Sequence, residues 1–93
     1  MIKKDRGGPY REYGKKMRGF RQESGLTQSG LARRLGLTSV QFVSNIERGI
    51  ALLPATFVPK VSRMYGIKKQ TLIELYTDAK NYEYTQRVKG QWG

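Results

Sequence analysis

The sequence predicts an all-α chain, and three observations carry that expectation. Apolar residues recur three and four positions apart in successive segments, the spacing of a helix buried along one side. Glycines stand just past the ends of three of those segments, at Gly36, Gly49 and Gly66, where a helix closes. Thr27 and Ser39 stand just ahead of two of them, where a hydroxyl accepts a free N–H of the opening turn. At 93 residues, 38% of them hydrophobic, the chain suits one small domain around one modest core.

Residues 1–9, MIKKDRGGP, read as a flexible basic arm in which Lys3, Lys4 and Arg6 precede a Gly-Gly-Pro break. Such an arm either reaches into a DNA groove or serves as a solubilising leader. From Tyr10 to Ser24 the residues Tyr10, Tyr13, Met17 and Phe20 fall at helical spacing. Lys15, Lys16 and Arg18 lie off that stripe, and Lys15 is a candidate contact to a nucleic-acid phosphate. Arg21 sits beside Phe20 near the buried edge, where pairing with Glu47 would neutralise both groups.

Thr27 opens a short helix over 27–35, with Leu31, Ala32 and Leu35 on its buried stripe and Arg33 and Arg34 on its exposed side. Gly36 ends it. Ser39 opens the next helix, 39–48, with Val43 and Ile46 inward and Gly49 closing it. Two short helices joined at a glycine corner form a helix-turn-helix arrangement. Further on, Pro59 belongs in a first helical turn, where its missing N–H does no harm. Val58, Val61, Met64 and Tyr65 then close the core, and Lys60 is a second candidate phosphate contact. Past Gly66 a final helix carries Leu72, Leu75, Tyr76, Ala79 and Tyr82 in its stripe, and Gly90 to Gly93 reads as a loose end.

Charge narrows the function. Eighteen Lys and Arg against seven Asp and Glu give a net charge of +11, which favours a polyanion as partner, either nucleic acid or an acidic membrane surface. The absence of cysteine excludes a disulfide framework and a thiolate metal site. The absence of histidine removes the usual general base and the commonest zinc ligand. The acids are scattered and no G-x-x-x-x-G-K loop is present, so neither catalysis nor a metal or cofactor is expected. No apolar run approaches the roughly 18 residues of a membrane span, and a cytoplasmic protein is expected.

The helix over 39–48 has an informative outer face. With Val43 and Ile46 turned inward, a step of about 100° per residue puts Gln41, Ser44, Asn45 and Arg48 on the opposite side. Gln and Asn can bond bidentately to adenine, and Arg to guanine or to the phosphate backbone. Taken alone, the same residues also suit an ordinary solvated face.

The fragments GLTQ, LA, LG and SNIERG, in that order and at near-family spacing, resemble the Cro/lambda-repressor-type helix-turn-helix family, often called the XRE family. The similarity runs from Tyr13 to Leu75. It implies a compact five-helix bundle of the lambda-repressor-like DNA-binding type, over residues 10–75, that binds operator DNA, usually as a dimer. By the same resemblance Gln28 touches a phosphate, Ser39 caps the recognition helix close to the DNA backbone, and Val40, Gln41, Ser44 and Asn45 face base edges. Arg21 and Glu47 match the family's ion pair between the first and third helices. The chain departs from the pattern in three places. The turn from Gly36 to Ser39 is one residue longer than the commonest form. Gly30 stands where the family usually has a glutamate, which removes a capping box and costs about 1 kcal/mol in helix propensity. The loop Ile50 to Leu53 is apolar where several relatives place basic phosphate contacts.

The family's last helix ends near Leu75, so residues 76–93 form a C-terminal helical extension and tail. Tyr82, Tyr84 and Val88 either bury against a second subunit, giving the symmetry of a palindromic operator, or wrap their own domain. The expected function is sequence-specific binding of double-stranded DNA by a small bacterial or phage transcriptional regulator, such as a homodimeric repressor. The alternative is an antitoxin-like or bridging module whose helix-turn-helix mainly docks a protein partner, with the tyrosine-bearing C-terminal helix taking part.

Overall fold

The computed structural model describes the backbone of residues 8–92 and the side chains of residues 10–90, and these residues hold five α-helices and one 3-10 turn. The helices are α1 (Gly8–Glu23), α2 (Gln28–Arg34), α3 (Gln41–Glu47), α4 (Val58–Tyr65) and α5 (Lys69–Trp92), with the 3-10 turn at Ala55–Phe57 before α4. No strand occurs among the described residues, so the fold is all-α as the helical spacing requires.

Gly8 and Pro9 do not break the chain but begin α1. A proline in the first turn has its φ already set for a helix, and its missing N–H would have had no partner there. The basic arm expected over 1–9 therefore ends earlier, and its remainder, residues 1–7, lies outside the described residues.

The core is built from the expected stripes. Tyr13 and Met17 of α1, Leu31 and Ala32 of α2 with Leu35 at its end, Val43 and Ile46 of α3, Val61 of α4 and Leu72 of α5 are all buried in one cluster. Each large apolar side chain so placed contributes about 1.5–3 kcal/mol. Leu53 joins them from the loop after α3, which accounts for that loop's apolar sequence: it fills the core. The Leu53 N–H donates to the buried Tyr13 hydroxyl at 3.0 Å. Burial pushes the Tyr13 phenol up to about 12, against the opposing effect of that hydrogen bond.

Two helix contacts position the rest. At Gly14, α1 crosses the end of α3 backbone against backbone. A Cβ there would lie 2.5 Å from the Glu47 carbonyl oxygen and 2.8 Å from that of Ile46, so only hydrogen fits. The second contact belongs to α5, whose 24 residues span about 36 Å, most of the molecule's 44 Å length. Its extension folds back on α1: Ala79 is 0% exposed, Tyr10 is buried, and the Tyr10 hydroxyl donates to Glu83 Oε1 at 2.9 Å. Lys80 and Arg87 flank the same carboxylate at 3.3 and 3.6 Å. The helix also continues through Gly90 to Trp92, where a loose end was expected.

Candidate nucleic-acid interface

The corner between α2 and α3 is set by local chemistry. Thr27 caps α2, its Oγ1 accepting the Gly30 N–H at 2.9 Å. At the other end Gly36 takes a left-handed φ of 77°, and the N–H groups of Gly36 and Leu37 donate to the carbonyls of Arg33 and Ala32 at 3.0 and 2.9 Å. These two bonds satisfy the last carbonyls of α2 while the chain reverses.

Helix α3 starts at Gln41, two residues later than the 39–48 read from the sequence, with Val40 at its N-cap position and Arg48 at its C-cap. The longer turn is absorbed here. Ser39 precedes the helix and still serves its first turn, its hydroxyl accepting the Gln41 N–H at 3.3 Å. Val43 and Ile46 face the core. On the outer side Gln41 and Arg48 are exposed, Ser44 and Asn45 are half-buried, and Val40 is exposed. Gln41 Nε2 donates to Asn45 Oδ1 at 2.9 Å, one helical turn along.

A buried polar network fixes the end of α3. Arg21 Nε and Nη2 donate to Glu47 Oε2 and Oε1 at 2.6 and 3.0 Å, a two-pronged pair whose side chains are 9% and 4% exposed. Arg21 Nη1 also donates to the Leu26 carbonyl at 2.8 Å, which ties in the turn before α2. The Glu47 hydrogen bond holds the Arg21 pKa above its ordinary value, against the opposing cost of burial. Burial, and then the Glu47 charge, raise the Tyr65 phenol well above its usual range.

Of the residues expected at the phosphate backbone, several have partners within the protein. Gln28, half-buried at the start of α2, donates from Nε2 to Glu47 Oε1 at 3.0 Å, so its amide is part of the network around Glu47. Lys60 Nζ donates to the Arg34 carbonyl at 3.0 Å, a cation at the C-terminal end of α2, where the helix dipole favours it. Lys15 lies 3.9 Å from Glu12 on the exposed side of α1, a loose surface pair. Arg48 is exposed, and among the described residues it has no ion-pair partner.

The structure also brings in residues that the sequence reading passed over. Gly14 is one, and its signal was present: a glycine among Tyr10, Tyr13 and Met17 on a buried helical stripe. The Gln28–Glu47 bond is another, and nothing in the spacing announces it.

Charge completes the site. Between Glu23 and Glu74 the only acidic residue is Glu47, and Arg21 holds it inside. Arg33, Arg34, Arg48, Lys60 and Arg63, on α2, at the end of α3 and on α4, are exposed, and these three helices expose no carboxylate of their own beside them. An excess of exposed cations of this kind attracts a polyanion. No described helix is long and apolar enough to cross a membrane.

A family model described as a helix-turn-helix domain matches residues 12–75, from α1 to the first part of α5. A comparison with curated proteins finds none that matches.

Proposed function

Because the chain belongs to the helix-turn-helix domain family, a family of DNA-binding regulators, we propose that it binds a double-stranded DNA operator with α3 in the major groove, as a small bacterial or phage transcriptional regulator. The observation that carries this reading is the amide-bearing outer face of α3, within a stretch from Glu23 to Glu74 whose one intervening acid, Glu47, is buried against Arg21. Lys and Arg contacts to phosphate supply most of the affinity, and the base edges supply the discrimination. Gln41, Ser44 and Asn45 face those edges, and Val40 suits a thymine methyl group. Arg48, Ser39, Gln28 and Lys15 lie toward the DNA backbone. Lys60 keeps donors for a phosphate beyond the one bound to the Arg34 carbonyl.

The reading includes a homodimer. Ile73, Tyr84 and Val88 are exposed, and helical geometry puts them on one face of α5, turned away from buried Leu72 and Ala79. Tyr84, at 70%, is the most exposed large hydrophobic side chain among the described residues. Tyr82 belongs elsewhere, in a groove of about 350 Å³ that it lines with Tyr10 and Arg87.

Selection of bound duplexes from a random pool tests the proposal, followed by gel-shift titration at two salt concentrations. The expected result is an enriched palindrome with half-sites about one helical turn apart, bound with steep salt dependence. Indifference to DNA would overturn it and favour a module that docks a protein partner instead.

A further inference from the structure

On the exposed side of α3, Gln41 and Asn45 are bonded to each other before any DNA arrives. A carboxamide has one oxygen acceptor with two lone pairs and two N–H donors. Gln41 uses one N–H on Asn45 Oδ1, at 2.9 Å, and keeps its oxygen and its second N–H. Those two groups complement the major-groove edge of adenine, whose N6 amino group donates and whose N7 accepts. An exposed glutamine without such a bond presents its amide either way round and loses rotamer freedom on binding. The bond to half-buried Asn45 selects one orientation in advance, with the nitrogen toward Asn45 and the oxygen away from it.

We propose that Asn45 is a positioning residue for Gln41, so that the two side chains read a single A·T base pair as one unit instead of reading two pairs independently. This rests on α3 entering the major groove, and the test separates the two claims. The wild-type protein is first used to select its preferred duplex. Wild type, Gln41→Ala, Asn45→Ala, Asn45→Asp and the double alanine variant are then titrated against that duplex and against versions with each A·T pair changed to G·C. Discrimination is a ratio between two duplexes bound by the same variant, so a loss of folded protein cancels.

Gln41→Ala is expected to lose on the order of ten-fold discrimination or more at one A·T pair. Asn45→Ala should lose discrimination at that same pair, and the double variant should lose no more than Gln41→Ala alone. Asn45→Asp keeps an acceptor for the Gln41 N–H, so it should recover the discrimination while its added negative charge weakens all duplexes alike. Losses that multiply in the double variant, or an Asn45→Ala effect at a different base pair, would overturn the coupling and leave the DNA reading intact. A wild-type protein that enriches no duplex would overturn both.

Discussion

At the scale of single residues, Glu47 has the most depending on it. It accepts three hydrogen bonds, two from Arg21 and one from Gln28, in a setting where its side chain is 4% exposed. Removing one member of such a pair strands the other charge in a poorly solvated place. Glu47→Ala and Arg21→Ala should each cost about 3–5 kcal/mol, measured by urea denaturation. An exposed pair such as Lys15–Glu12 is worth under about 1 kcal/mol, and Lys15→Ala should leave the unfolding midpoint nearly unmoved. Tyr13 makes a second test. Its phenol rises from 10.0 to about 12 in the folded protein, so the fold favours the neutral form. That stability is fully present below pH 10 and is lost as pH rises through 12, by roughly 2–3 kcal/mol. Tyr13→Phe should flatten this alkaline loss. At neutral pH it should cost about 1–3 kcal/mol by stranding the Leu53 N–H, with both effects read from denaturation curves across pH.

At the scale of elements, the helices were legible because each has a periodic stripe and an explicit stop. Leu31, Ala32 and Leu35 before Gly36 are an example, and so are Val43 and Ile46 before Gly49. What the stripes did not show was decided by contacts between elements. The start of α3 moved to Gln41 because the longer corner consumed Ser39 and Val40. Pro9 entered α1 because a first-turn proline is already set for a helix, whereas Gly90 lies in α5 against glycine's poor helix propensity. The outer face of α3 was legible as a set of residue types, but the bond between Gln41 and Asn45 required the helix register. Two glycines of α1 give a paired prediction of opposite sign. Gly14→Ala pushes a methyl group into the backbone of α3 and should destabilise by about 1–3 kcal/mol despite alanine's better helix propensity. Gly19→Ala meets nothing within 4 Å and should stabilise by about 0.5–1 kcal/mol. Thermal melts of the two variants distinguish them directly.

At the scale of the whole molecule, α5 does two separate things along its length. One side closes the domain through Leu72, Ala79 and the Tyr10–Glu83 bond, and the other leaves Ile73 and Tyr84 exposed. If the exposed side joins two copies, Ile73→Glu with Tyr84→Glu should yield a monomer that melts at nearly the wild-type temperature on dilution. Sedimentation equilibrium against concentration checks this. The contact at Gly14 has a consequence on the same scale. Where two main chains touch with no side chain between them, there is no compliant layer to compress or refill. The tilt at which α3 leaves the body is then inherited from peptide geometry. Conservative exchanges elsewhere in the core can accumulate without re-aiming it, for as long as position 14 carries no side chain.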